Sequence, residues 1–584
     1  MGMPRRPRLS LLLPVVLASV FLTVGPARAA VITVTTTAES PGGAGDCTLG
    51  EAIQAANTDT AVDACAAGSG ADTIMMAAGT YTLTTGLTTS FGVSAFVIAT
   101  AVTIQGQGAA ITRDPVNPNL RFFEVTSAGN LTVNDLGLSN GLAQGAAGAP
   151  GVAGDGGPGE PGRGGAIHNS GTLTLSAASL SGNAARGGQG GSVTAPPGNG
   201  GAGGDGQGGA IYDVGTLTLL ATNLSNNAVQ GGGGGGTTNG FGGRGGVGQG
   251  GALYHGVTGT LMIAGSTLAT NGATGGPGGY GLSAYGLPGL ASGGALHSQG
   301  AVTITQSTLN ANTVVAGASS SMLTAQGRGG AIAVDTATLN LTQSTVSGNT
   351  VTGGSVGPYP MPGGPGYGGG LHLQNATVDV SRTAIIDNNA VGGPGPFGAG
   401  VGYGGGLYAS VGQAALANVT VSGNNAMQGA GGAYVGASGT VTLTHVTLAD
   451  NTSSNGTAGL VNTAATVTFA GTLVADNAGP GGNCSGPIVN DGGNLQYPGT
   501  TCGAGIPTAN PMLGPLQNDG GSFVHPLPPA SPAIDAAEQP GCPATDQRGV
   551  MRPIDGDDDG LAVCDTGAYE AAATDLIFRD GFEA

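Results

Sequence analysis

Between residues 164 and 451 the chain returns eight times to one signature: Gly-Gly, then Ala or Gly, then an apolar residue. Its third position falls at Ala166, Ala210, Ala252, Ala295, Ala331, Gly370, Gly406 and Ala433. An alternation of Thr with aliphatic residues follows, such as Thr172-Leu-Thr-Leu-Ser176, and then an Asn: Asn183, Asn227, Asn271, Asn312, Asn349, Asn389, Asn424 or Asn451. By subtraction the Asn always lies 17 to 19 positions on, whereas the interval between signatures runs from 44 down to 27. What varies is the Gly-rich stretch after each Asn, which reads as a surface loop inserted at one corner of a constant unit.

A bare unit in the low twenties, made of period-2 segments separated by Gly and Asn turns, suits one coil of a parallel β-solenoid. No coil buries its own inward face, so coils stack at about 4.8 Å and share a core. The aliphatic residue three before each Asn (Leu180, Leu224, Leu268, Leu309, Val346, Ile386, Val421, Leu448) is expected to point inward. Asn suits the corner because it tolerates the left-handed conformation and its amide stacks from coil to coil. About ten coils between residues 72 and 480 give a rod on the order of 50 Å long. The fold expected is all-β: a right-handed parallel β-helix with an N-terminal helical cap and a small disulfide-stapled C-terminal region.

Composition narrows the chemistry. Gly and Pro account for 153 of 584 residues, yet only 8% are charged, so the high-charge signature of disorder is absent. All 14 basic residues are Arg against 32 acidic ones, a net charge of −18. No basic stripe is available for nucleic acid, and without Lys there is no phosphate loop and no Schiff base.

Arg5, Arg6 and Arg8, an apolar run from Leu9 to Val24 and Ala27-Arg28-Ala29 form a secretory signal peptide over 1–29, cleaved after Ala29. No other segment is long and apolar enough to span a membrane, so an extracellular or outer-surface location without an integral span is expected. Six cysteines in an exported chain favour disulfides. Neighbour pairing (Cys47 with Cys65, Cys484 with Cys502, Cys542 with Cys564) staples both ends and leaves the middle free. Thr48 and Glu51 form a capping box ahead of a helical face of Leu49, Ala52, Ile53 and Ala56, a plug for the open first coil.

Cys47-Thr-Leu-Gly-Glu-Ala-Ile53, followed by ADTIMMAAGTYTLT at 71–84, resembles the CSLREAI domain that opens exported bacterial β-helix proteins, with Thr48 and Gly50 departing from its Ser and Arg. LGPLQNDGGSFVHPLPPASPAIDAA at 513–537, with TDQRGVMRP and DTGAYE further on, resembles the choice-of-anchor Q domain. The GGAI, TLTLS and SGN units resemble the repeats of chlamydial-type polymorphic outer-membrane proteins. These resemblances imply a secreted or surface-exposed β-helix and describe architecture and export rather than a reaction. The divisions expected are cap and first coils over 30–115, repeats over 116–483, a C-terminal region over 484–572 and a tail over 573–584. In that tail, Ile577–Glu583 reads as a sorting signal.

Two constellations carry chemistry. Asp555-Gly-Asp-Asp-Asp-Gly560 fits the first half of a calcium loop, but Thr566 stands where an EF-hand has its bidentate Glu. Asp555, Asp557, Asp559 and Asp565 are the calcium ligands expected; a solvated acidic turn is the competing reading. Two residues past each signature stand His168, Tyr212, Tyr254, His297, His372 and Tyr408, an expected outward stripe for stacking on sugar rings. The competing reading is cross-strand stacking within the sheet.

Catalysis on such a rod needs clustered carboxylates. Residues 164–480 hold only seven acidic residues and four Arg, scattered through the unit, with Asp379 and Arg382 the nearest to a site and read as a surface pair. The function expected is non-catalytic adhesion, matrix or glycan contact. The alternative is a polysaccharide lyase or glycoside hydrolase of the pectate-lyase-like fold. An autotransporter passenger lacks room for its membrane barrel in the acidic final hundred residues.

Overall fold

A computed structural model describes residues 2, 29–39, 45–116, 119–358, 360–410, 412–436, 439–537 and 541–572. The expected signal peptide and the C-terminal tail lie outside the described residues, the former save for Gly2 and Ala29. The architecture is the parallel β-helix that the repeat implies: stacked sheets of 22, 13, nine and seven strands, in which coil follows coil in parallel register. One apolar core runs without a break from Ile32 to Ile506. Helix α1 (Leu49–Thr58) covers its first coils, with the Thr48–Glu51 capping box formed and Leu49, Ala52, Ile53, Ala55 and Ala56 buried. Disulfides join Cys47 to Cys65, Cys484 to Cys502 and Cys542 to Cys564.

One coil shows how the unit works. Ile211–Asp213 lies in the 13-stranded sheet, Thr216–Leu220 and Asn223–Ser225 in the 22-stranded sheet, and Ala228–Gln230 in the nine-stranded sheet. Ile211, Leu217, Leu219 and Leu224 are fully buried, each contributing about 1.5–3 kcal/mol relative to exposure. The Gly-Gly signature has two separate causes. Gly208 turns the chain with φ +64°, and a Cβ on Gly209 would stand 2.0 Å from the Gly251 carbonyl oxygen and 2.7 Å from the Ala228 backbone nitrogen. The coil closes at that point because the outgoing strand passes directly over a residue without a side chain.

The Asn column is a buried ladder. Asn227 accepts at Oδ1 from the main-chain N–H and the side-chain amide of Asn183, both at 3.0 Å, and its own amide donates to the Leu180 carbonyl at 3.0 Å. This pattern repeats through Asn271, Asn312, Asn349, Asn388, Asn424 and Asn451 to Asn477. Two expectations are corrected. The left-handed residue is the one before the ladder Asn, for example Asn226 (φ 55°), Thr270 (54°) and Asp387 (56°). With Asp387 at the bend, Asn388 rather than Asn389 enters the ladder, and Ile385 rather than Ile386 pairs with Val346 and Val421.

The Gly-rich stretches are not loose surface loops. Each leaves its coil, reverses and returns, and both runs are hydrogen-bonded to their neighbours through glycines three residues apart. Gly232 and Gly235 donate to the Gly204 and Gly201 carbonyls of the preceding coil, and Gly243 and Gly246 donate back to Gly235 and Gly232. On the other side of the same run, Gly231 and Gly234 donate to Thr274 and Pro277 of the next coil. A period of three without bonds inside the run is that of the polyproline II helix. Packing such helices this closely admits no side chain: a Cβ on Gly243 would lie 1.8 Å from the Gly201 carbonyl oxygen. The Gly-every-third-residue run at 145–157 belongs to this block as its first layer, with Gly145, Gly148 and Gly151 donating to Arg186, Gln189 and Ser192.

The last coil ends near Ile506, and the rest of the C-terminal region folds back along the side of the rod. Asn418 donates to the Thr545 carbonyl at 2.7 Å, Thr420 to Gln547 at 2.7 Å, and Ser422 meets His525 Nε2 at 2.8 Å. Strand Gln413–Ser422 is therefore buried on both faces over its second half.

Candidate functional site

The His/Tyr column forms in register, each residue paired with the next coil's counterpart from His168 through Ala333 to Tyr408 and on to Tyr434. The rings stack, with Tyr212 and Tyr254 parallel within 1° at 5.0 Å, His372 and Tyr408 within 3° at 5.3 Å, and Phe91 closing the end at 4.1 Å from His168. The stripe points away from the main core but is not open: His168, Tyr254, His297 and His372 are buried, and only Tyr212 and Tyr408 are partly exposed. The expectation of a surface on which sugars stack is corrected accordingly. The cause is a second column that leans over the first, contributed by the residue just before each Gly-Gly: Arg163, Gln207, Gln249, Ser292, Arg328, Tyr367 and Tyr403. Arg163 lies over the Tyr212 ring at 5.3 Å, and Ser292 and Gln249 bond the two nitrogens of His297 at 3.0 and 3.1 Å. The G-R-G-G, G-Q-G-G and G-Y-G-G spellings are the sequence signal for this cover. Burial pushes the imidazoles down to about 3 at His168 and His372 and about 4 at His297, so the rings are neutral.

At the acidic loop the structure gathers a different set from the one expected. Asp535, Asp555 and Asp557 place one carboxylate oxygen each within 4.8 Å of one another. Asp535 organises the turn, accepting from the backbone N–H of Gly556 at 2.8 Å, Asp557 at 3.1 Å and Val563 at 3.0 Å. Asp555 accepts from Gly560 through one oxygen, while its other oxygen is buried with no partner. Asp559 is turned to the Leu561 N–H at 2.8 Å. Asp565 is buried and accepts from Asp535 and Ala571 backbone N–H groups. Neither belongs to the cluster, and Asp535, 20 residues before the acidic run, was not identifiable from loop spacing. Burial, with Glu570 nearby, pushes Asp565 up to about 7.

The segments TDQRGVMRP and DTGAYE are consumed by structure. Arg552, buried, pairs with buried Glu570 at 3.0 Å, donates to the Gly567 carbonyl at 2.8 Å and bonds His445 of the rod. Arg548 joins Asp519 and Asp546, each at 2.7 Å, and sits 3.6 Å over the Tyr569 ring. Such a network is costly to break from one side, which suits a seam between the rod and its C-terminal region.

On the rod itself the carboxylates stay apart in role. Asp213 is fully buried against His255 Nδ1 at 2.6 Å. Asp379 forms no ion pair with Arg382, contrary to the surface pair expected. Asp450 and Asp476 follow one another at the left-handed corner of adjacent coils, and burial together with Asp450 raises the Asp476 carboxyl. The open face of the 22-stranded sheet instead carries an exposed column of Thr172, Thr216, Thr260, Ala301, Thr338, Thr377, Gln413 and Thr440, six of the eight bearing hydroxyls.

Among the described residues no helix is long and apolar enough to cross a membrane. No family model matches the chain, and no curated protein matches it. Among solved structures, the crystal structure of pectate lyase Pel9A aligns with a TM-score of 0.29 at 10% identity, over 93% of this chain and 96% of that one.

Proposed function

We propose that the protein is an exported, non-catalytic surface or secreted rod that contacts polysaccharide. The observation that carries this reading is a nearly uncharged edge of the 22-stranded sheet on which exposed Thr hydroxyls, donor and acceptor at once, recur from coil to coil at about 4.8 Å spacing, interrupted at Ala301 and Gln413. A sugar chain laid along it meets hydroxyls at most coils, three in a row from Thr172 to Thr260. The signal-peptide pattern, the three disulfides and the resemblance of the ends to CSLREAI and choice-of-anchor Q domains support export. Calcium at Asp535, Asp555 and Asp557 is part of the same proposal, supported by the partnerless buried oxygen of Asp555, and would stiffen the C-terminal region rather than act on a substrate.

The test is co-sedimentation of the mature chain with cell-envelope, capsular and plant-wall polysaccharides. Thr216→Glu with Thr260→Glu should abolish retention while leaving the melt unchanged, since both residues are exposed. Retention unaffected by the two charges would remove the hydroxyl face from the account.

A lyase or hydrolase reading has one observation in its favour, the raised carboxyl of Asp476 beside Asp450. The two stand side by side on one edge rather than across a groove. Loss of polymer cleavage in Asp476→Asn would establish it.

A further inference from the structure

The 22-stranded sheet bends in each coil at a left-handed residue, and that column changes character along the rod. It is polar in the first coils (Gln107, Asp135), small in the next three (Ala177, Ala221, Gly265) and long and polar after them (Gln306, Gln343, Arg382, then Asn418 and His445). Asn418 and His445 are taken up by the C-terminal region, through the Thr545 carbonyl and Arg552. Gln306, Gln343 and Arg382 lie farther up the rod, where the Arg382 guanidinium sits so close to Gly549 that a Cβ there would stand 2.5 Å from its terminal nitrogen. They open on a cavity of about 270 Å³ where the hairpin tip Gly520-Gly521 and the segment Gln547-Arg548 approach the rod.

The two guanidinium groups at this cavity are held differently. Arg548 is neutralised by Asp519 and Asp546, both at 2.7 Å. Arg382 has no carboxylate within ion-pair distance among the described residues. With the Gln343 amide turned so that its oxygen faces the guanidinium, that oxygen accepts from both terminal nitrogens at 3.2 and 3.3 Å, while Arg382 Nε is buried without a partner. Arg382 is thus a cation held by an amide beside the hydroxyls of Thr308 and Thr345, with a donor to spare at Nε.

We propose that this cleft binds the carboxylate of an acidic sugar, a uronate unit of a polysaccharide, with Arg382 as its counter-ion. A guanidinium fork matches a carboxylate, and the Gln306 amide with the Thr308 and Thr345 hydroxyls suits the ring hydroxyls around it. A phosphate, carrying up to two charges, asks for more than the single free cation the cleft supplies. The site lies across the same sheet from Ala301, Thr338 and Thr377, partway along the hydroxyl column, so a uronate seated here would pin a chain crossing that face. The inference rests on the polysaccharide reading and names its charged anchor.

The test is calorimetric titration of the full chain with oligogalacturonate, with its neutral methyl ester and with free galacturonate, using the unmodified protein, Arg382→Gln and Arg382→Lys. Arg382→Gln should weaken oligogalacturonate at least about tenfold, the loss expected for one charge-assisted pair. The methyl ester should bind the unmodified protein no better than the acid binds Arg382→Gln, and Arg382→Lys should fall between. Should Arg382→Gln misfold, the acid against its methyl ester on the unmodified protein and on Arg382→Lys carries the same comparison. Binding unchanged in Arg382→Gln, or no binding of either acid, overturns the cleft. Galacturonate bound through Arg382 while no polymer binds would keep the cleft and refute the polysaccharide reading. Polymer bound equally by all variants would do the reverse.

Discussion

Asn271 stands between Asn227 and Asn312 as both acceptor and donor: its Oδ1 takes the Asn227 N–H and amide at 3.0 Å, and its own amide reaches Asn312 Oδ1 at 3.0 Å and the Leu224 carbonyl at 3.0 Å. Every one of these groups is buried, so the ladder replaces water for the turns of successive coils.

Asn271→Ala should therefore leave the Asn227 N–H and the Leu224 carbonyl unsatisfied and cost about 3 kcal/mol. Because each coil touches only its neighbours, the loss should appear as faster hydrogen exchange in the flanking coils, with the caps unaffected. Uniform exchange along the rod would contradict the ladder's role.

The glycine block responds to a single methyl. Gly243→Ala places its Cβ against the Gly201 carbonyl and should cost at least about 1–3 kcal/mol, exposing the excursion to protease. Arg244→Ala, at an exposed neighbouring position, should stay within about 0.5 kcal/mol of the parent. Equal melts for the two variants would mean that the excursions are loops after all.

Acid should loosen the stacked column. His168, His297 and His372 are held below their ordinary value of 6.5 in the fold, so between pH 6.5 and about 4 the unfolded chain takes up protons that the folded chain refuses. Stability present above 6.5 is lost as pH falls through that window, by up to about 1.4 kcal/mol per pH unit for each ring. Asp565, raised to about 7, has the opposite sign: its contribution is lost as pH rises toward 7. Urea midpoints of the parent and of His297→Phe/His372→Phe across pH 4.5–7.5 isolate the two rings, since the variant loses their slopes and keeps those of His168, His445 and the raised carboxyls such as Asp565. Identical slopes would show that the imidazoles are not shielded.

Calcium should raise the stability of the C-terminal region by about 1.4 kcal/mol per tenfold free calcium near saturation. Asp555→Asn with Asp557→Asn should abolish this. Limited proteolysis in chelator should open cuts between residues 541 and 572 and none in the coils. A parent protein indifferent to calcium removes the ion from the account.

The solenoid was legible because its determinants are local and repeated: the signature, the alternation and the Asn corner each recur in every coil. The capping box and the cysteine pairs were readable for the same reason. Which of Asn388 and Asn389 joins the ladder was not, since spacings of 18 and 19 both occur and only the bend at Asp387 decides. The Gly-rich stretches misled because low complexity reads as flexibility, whereas a three-residue period is a packing instruction once a neighbouring run exists. The roles of Asp535 and Arg382 depend on how the C-terminal region folds back on the rod, which no spacing encodes, whereas the cover of the His/Tyr column was spelled in the residue before each Gly-Gly and passed over because its neighbours are glycines.

The most direct test of the central claim is to incubate the mature protein with a polysaccharide that it retains and to measure the polymer's chain-length distribution afterwards by size-exclusion chromatography. A non-catalytic rod sediments with the polymer and leaves the distribution unchanged after prolonged incubation. Shortened chains would contradict the account and return the acidic corner at Asp450 and Asp476 to consideration as a catalytic pair.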